Sequence, residues 1–137
     1  MKKLLPTLLA LLLFCLALPC ASAADVTPSP QKLSVDGTDA DCDKYNIDGS
    51  NYFKLRDLAY LLSKSDSRFS VAFDAESNAV TVVPGGDYVP VGGELERGKD
   101  LSKTAVASKQ SVLINGEAVE GISVYNIGGN NYFKLRD

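Results

Sequence analysis

The groups from which chemistry would have to be built are few. Aspartates stand at 36, 39, 41, 43 and 48, glutamates at 94 and 96, and one cysteine at 42 lies outside the leucine-rich N-terminus. Counted from Asp39, Asp41 and Asp43 fit the first oxygen positions of a helix-loop-helix calcium loop. Lys44 stands where that loop needs glycine and Ser50 where it needs a bidentate glutamate, so a solvated acidic loop is the reading. Glu94 and Glu96 fall in a Pro/Gly-rich stretch, where the sequence promises no rigid frame to set two carboxylates for acid and base work. The chain has no histidine, which removes the commonest proton shuttle, the commonest transition-metal ligand and every histidine-dependent triad. No phosphate loop, zinc cysteine pair or nucleophile elbow occurs in the sequence. The expectation is a non-enzyme with no cofactor and no metal site.

The elements that would position these groups come after residue 23. Lys2 and Lys3, the apolar run 4–18 and Ala21-Ser22-Ala23 read as a signal peptide cut before Ala24. The run is short of the ~20 apolar residues of a membrane span. Pro19 argues against lipidation at Cys20. The protein is therefore expected to be secreted or held at the cell surface. The remaining 114 residues carry 12 basic and 17 acidic groups, a net charge of −5, which disfavours nucleic acid and anionic membrane as partners. Cys42 is then the only cysteine, so no internal disulfide can form. The bland role, a half-buried thiol, is favoured over pairing with another chain.

One cassette occurs twice. YNIDGSNYFKLRD at 45–57 and YNIGGNNYFKLRD at 125–137 match at eleven of thirteen positions, 80 residues apart. The likeness extends upstream, from Gln31-Lys32-Leu33-Ser34-Val35-Asp36-Gly37 to Gln110-Ser111-Val112-Leu113-Ile114-Asn115-Gly116, with one extra residue between the two blocks in the second copy. Two roles compete for the cassette. Tyr52, Lys54, Arg56 and Asp57 could form a binding surface. Alternatively, Tyr45, Ile47, Phe53 and Leu55 enter the core, Gly49 makes a turn, Asn51 bonds the turn backbone, and Arg56 and Asp57 open a helix. Aromatics and glycines at hairpin spacing favour the structural role. The same role falls to Tyr125, Ile127, Gly129, Asn131, Tyr132, Phe133, Leu135 and Arg136.

Period-two patterns ending in Asp36-Gly37 and Asp48-Gly49 predict strands at 32–36 and 45–47, with a third at 51–53. Leu55, Leu58, Ala59, Leu61 and Leu62 form an apolar stripe and predict a helix at about 54–64. Alternation at 71–74 and 79–83 predicts a closing hairpin. The class is α+β: a small, mostly antiparallel sheet on one helix, in β-β-β-α-β-β order, with a truncated second copy. The divisions are signal 1–23, linker 24–30, first repeat 31–86, connector 87–109 with a strand at 88–91, and second repeat 110–137. The second copy stops where its helix should begin. It is expected to belong to a longer reading frame, or to dock on the first unit or on another chain.

The hairpin, NYFKLRDLA at 51–59, FSVAFD and NAVTVV within 69–83, and YVPVGGEL at 88–95 together resemble the copper amine oxidase N-terminal-like domain. That family is the stalk module of exported Gram-positive bacterial proteins. The resemblance covers 31–95 and, in part, 110–137. It implies a sheet wrapped around one helix, away from any active site. The copper-binding histidines and the cofactor tyrosine motif of the oxidases have no counterpart here. The expectation is thus a stalk, spacer or binding module with a cell-envelope or protein partner, and self-association through the truncated second repeat. The rival is the accessory front end of a longer exported cell-wall hydrolase or protease.

Overall fold

The computed structural model describes residues 24–136; the expected signal peptide at 1–23 lies outside the described residues. Their architecture is α+β, with mostly antiparallel sheets and one α-helix. In chain order the elements are β1 (Val26–Pro28), β2 (Leu33–Val35), β3 (Thr38–Ala40), β4 (Lys44–Ile47), β5 (Ser50–Lys54), α1 (Leu55–Leu61), β6 (Phe69–Asp74) and β7 (Ala79–Pro84). A 3-10 turn at Ser102–Thr104 comes next, and then β8 (Val106–Ala107), β9 (Ser111–Ile114), β10 (Glu117–Ala118), β11 (Val124–Ile127) and β12 (Asn130–Lys134).

Four hairpin tips use one device. Asp36-Gly37, Asp48-Gly49, Asn115-Gly116 and Gly128-Gly129 all hold φ between 48° and 86°, the paired left-handed geometry of a type I′ turn. The first of these returns the chain as β3. Residues 31–86 therefore carry four strands before the helix, where three were expected. The reason is local: a two-residue I′ turn after Val35 folds the next residues back onto β2, even the polar Thr38-Asp39.

The helix is shorter than the 54–64 expected. Lys54 ends β5 with φ −68° and ψ 121°, and the helix starts on the next residue without a side-chain cap. It stops at Leu61, and Ser65 then bonds the Leu62 carbonyl through both its N–H and its hydroxyl, each at 2.9 Å. Serine and aspartate at 63–67 offer the backbone these local partners in place of another helical turn.

Two further segments depart from expectation. Residues 24–30 read as a linker, yet β1 pairs with β4 in the register Val26↔Ile47 and Pro28↔Tyr45. The strand expected at 88–91 is not present. There the chain turns through Gly92 and Gly93, both at positive φ, and is held by side chains.

The main sheet has the order β1-β4-β5-β12-β11-β8, and its neighbours are antiparallel throughout. The second cassette thus lies beside the first in one sheet. A second sheet, β10-β9-β7-β6, contains the one parallel pair among the described strands, β7 with β9. On one face of the main sheet Tyr45, Ile47, Tyr52, Ile127 and Tyr132 form a buried cluster, covered by Val26, Leu101 and Ala105. On the other face Phe133 and Val124 pack against Val80 and Val112 of the second sheet, with Leu55 at the margin. Tyr52 and Phe53 are adjacent, so strand alternation sends them to opposite faces.

Candidate functional site

The centre of the molecule is the seam between the cassettes. Strand β5 meets β12 in the register Tyr52↔Lys134, Phe53↔Phe133 and Lys54↔Tyr132. The cassettes are offset by 80 residues, so Phe53 lies opposite its own counterpart, while Tyr52 and Lys54 lie opposite each other's. This is the register of a two-fold axis through the phenylalanine pair, an isologous interface folded into one chain.

The surrounding contacts obey the same axis. Tyr45 meets Tyr132 edge-on at 5.1 Å between ring centroids, and Tyr125 meets Tyr52 at 5.4 Å; both pairs are inclined at 84°. Such T-shaped pairs contribute ~1 kcal/mol each beyond buried area. Within each hairpin an asparagine holds the turn. Gly49 N–H donates to Asn46 Oδ1 at 3.1 Å, and Gly129 N–H to Asn126 Oδ1 at 3.2 Å. Asn46 Nδ2 donates to Asn51 Oδ1 at 3.4 Å, matched by Asn126 to Asn131 at 3.1 Å. Asn51 and Asn131 then donate to Gln31 and Gln110. Asn51 therefore bonds side chains, and the turn backbone belongs to Asn46, contrary to the expectation from sequence.

The outer strands keep the same symmetry. Ser29 N–H donates to the Lys44 carbonyl at 2.9 Å, and Ser108 N–H to the Val124 carbonyl at 2.8 Å. The equivalence thus reaches upstream of Gln31 and Gln110, to β1 and β8. Ser-x-Gln at 29–31 and at 108–110 was the available signal, too short to register alone.

Beside the seam lies an open groove of 410 Å³. One wall is apolar, with Leu55, Val71 and Phe73; the other is polar, with Arg56, Gln110 and Asn130. Arg56 Nη2 donates to Asn130 Oδ1 at 3.0 Å, which ties the helix of the first repeat to the second hairpin. The groove's amides are engaged with one another or, for Asn130, with Arg56, so its chemistry is that of contact and hydrogen bonding.

Of the four residues weighed as a binding surface, three are buried: Tyr52 at 5%, Lys54 at 6% and Asp57 at 0% exposure. Arg56 is half-buried. Asp57 Oδ1 accepts from Leu95 N–H at 3.0 Å and lies 3.5 Å from the Lys54 ammonium, while Oδ2 has no hydrogen-bond partner. Burial pushes the Asp57 carboxyl above the usual range, outweighing the Leu95 N–H and the lysine that lower it. The nearby Cys42 is 1% exposed, and burial first, then the charge of Asp57, raises its thiol pKa. A buried thiol held protonated is a poor nucleophile.

The connector is better ordered than its composition suggested. Glu94 accepts from the Tyr88 hydroxyl at 2.7 Å, Val91 N–H at 2.8 Å and Gly92 N–H at 3.0 Å. The Tyr88 hydroxyl, followed by these amides, lowers the Glu94 pKa to about 2. Arg97 grips Asp41 and Asp43, the latter at 3.3 Å, and Gly98 N–H donates to Asp43 at 2.6 Å. The acidic loop is thus the anchor for the chain returning from the first repeat. Glu96 remains exposed.

In the second cassette Tyr132 and Phe133 are buried at 3% and 8% exposure, Ile127 is fully buried, and Gly129 sits at its turn. Leu135 is 55% exposed and Arg136 is exposed. Compared with known proteins, the chain matches no protein-family model, no curated protein and no solved structure.

Proposed function

We propose that this chain is an exported, non-catalytic stalk or spacer module whose repeats join through their cassettes. The observation that carries the reading is the seam: the most repetitive residues of the sequence pair with one another, and their side chains are consumed by packing and turn geometry. A motif selected to bind or transform a ligand would leave its polar groups available; here Lys54 and Asp57 are buried against each other. The repeating unit is the β-β-β-α-β-β stalk unit, with Thr38–Ala40 counted as the return of the Asp36-Gly37 hairpin. Export rests on the signal-like sequence at 1–23, and the stalk assignment on the resemblance to the copper amine oxidase N-terminal-like domain. The partner is a protein or another component of the cell envelope.

The test combines location with activity. Protein recovered from outside the cell should begin at Ala24, and its β5 and β12 amides should be protected from exchange as one cooperative unit. Retention of Met1 in a membrane fraction would overturn the export reading. Turnover of peptidoglycan or peptide substrates by the purified chain would overturn the non-catalytic one.

A further inference from the structure

The two-fold axis makes a prediction that the chain itself fulfils on one side only. In the second repeat, β9 and β10 form a hairpin whose free edge is taken by β7 of the first repeat, running parallel, with Val80↔Val112 and Val82↔Ile114 in register. Ser111 N–H donates to the Asn78 carbonyl at 3.2 Å and Asn115 N–H to the Val82 carbonyl at 3.0 Å. The counterpart hairpin of the first repeat, β2 with β3, pairs with no further strand among the described residues.

From this asymmetry we infer that the outer edge of β2 is a docking site for a strand with the chemistry of Ala79–Pro84, bound parallel to β2. By the alignment of the repeats, the incoming strand sets its equivalent of Val80 beside Leu33 and its equivalent of Val82 beside Val35. The Val35↔Thr38 pair closes the turn, and ladder alternation then sends the Ser34 N–H and C=O away from β3. Lys32 and Asp36 N–H occupy the places of Ser111 and Asn115 and point the same way. Burial marks the difference: Val112 is 6% exposed, whereas Leu33 is only half-buried. A groove of 390 Å³ lies at the base of this hairpin, lined by Lys32 and Leu33 from the β2 side, Asp39 and Ala40 from the β3 side, and Lys44 and Arg97. The edge is more polar than its counterpart: Lys32 stands for Ser111, Ser34 for Leu113 and Asp36 for Asn115. Lys44 replaces Val124, so the occupant meets an aliphatic stem whose ammonium reaches water. The occupant is a further hairpin of the 69–84 type, and the binding mode is strand addition. This inference stands on the axis and the observed β7–β9 pairing; it is independent of export and of the absence of catalysis.

The experiment supplies the strand from the chain's own sequence. Residues 58–86 are appended after Asp137, in frame with the second cassette, and amide exchange is compared with that of the original chain. The expected result is slowing by about tenfold or more at Lys32, Ser34 and Asp36, with little change at Leu33 and Val35. Ser34→Pro, which removes an outward N–H without touching the β3 ladder, should abolish the slowing while the rest of the spectrum is kept. A synthetic peptide of residues 66–86 added to the original chain serves where the extended chain fails to fold. Saturable shifts confined to 32–36 support the site. Unchanged exchange at these three amides in a folded extended chain, or peptide shifts elsewhere, overturns it. So does dimerisation of the original chain through β2, which would make a second copy the occupant.

Discussion

Leu55 and Leu135 hold the same place in two nearly identical cassettes, and they have different surroundings. Leu55 opens a helix and packs beside the Phe133 cluster; Leu135 is 55% exposed. Tyr45 is buried at 3%, while its counterpart Tyr125 is half-buried. Lys54 is enclosed with Asp57, whereas the side chain of Lys134 is partly open. By contrast Phe53 and Phe133, on the axis, are both buried. The difference teaches that the cassette specifies a hairpin and a seam, and that the segments packed on each copy, such as the connector that brings Leu101 N–H to Tyr45, decide which of its edges become core.

The largest effects should be symmetric and lie on the axis. Phe53→Ala and Phe133→Ala should each cost about 3–5 kcal/mol in urea unfolding. A gap of more than about 2 kcal/mol between them would break the equivalence of the two halves. The next effect should be asymmetric. Leu55→Ala should cost about 2 kcal/mol and Leu135→Ala less than about 0.5 kcal/mol. Equal costs would mean that Leu135 is covered in solution.

Smaller again, and symmetric, are the turns. Gly49 and Gly129 hold φ of 84° and 86°, and a Cβ at either position meets open space, so the cost of alanine is backbone strain alone. Gly49→Ala and Gly129→Ala should each lower stability by about 1–2 kcal/mol, read from the same unfolding curves. Unequal values would show that one turn relaxes.

The smallest effect is confined to one side and to pH. The Asp57 carboxyl has its pKa raised on folding, so the folded state holds this proton more tightly than the unfolded chain. Its favourable share is complete below the unfolded value of about 3.9 and is lost as pH rises through the folded value. The stability of wild type minus that of Asp57→Asn should therefore fall with rising pH across that window. Glu94 acts in the opposite sense. Its pKa is depressed to about 2, so its contribution is present above the usual glutamate range and disappears as pH falls toward 2. Glu94→Gln should remove that acid limb. A difference between wild type and Asp57→Asn that rises with pH would show that Lys54 outweighs burial.

Much of the local structure was legible in the sequence. Asp-Gly and Asn-Gly dipeptides marked three hairpin tips, and the leucine stripe marked the helix, because backbone sterics and amphipathic period act over a few residues. The partner of a strand is not written in the strand. Nothing in NYFKL states that it pairs with its own copy 80 residues away; that pairing arises from two edges with matching apolar faces. The two- and three-residue strands β8 and β1 carry too little pattern to be seen. Lys54 and Asp57 fit either a binding surface or, for Asp57, the first turn of the helix; neither role carries their burial, and Asp57 is met by the Leu95 N–H from the connector. The connector was underestimated because Glu94 and Arg97 are polar in composition and structural in use.

The seam also sets an order of events. Strand β5 is made early, but its neighbour β12 is separated from it by some 80 residues of chain. Pairing across so long a loop is slow and cannot begin until residues 130–134 have been synthesised. Until then Phe53 has Lys44 on one side and no strand on the other, so the edge of β5 stays open while the residues between the two cassettes are made. Closure then comes late, from the meeting of two copies of the same thirteen residues.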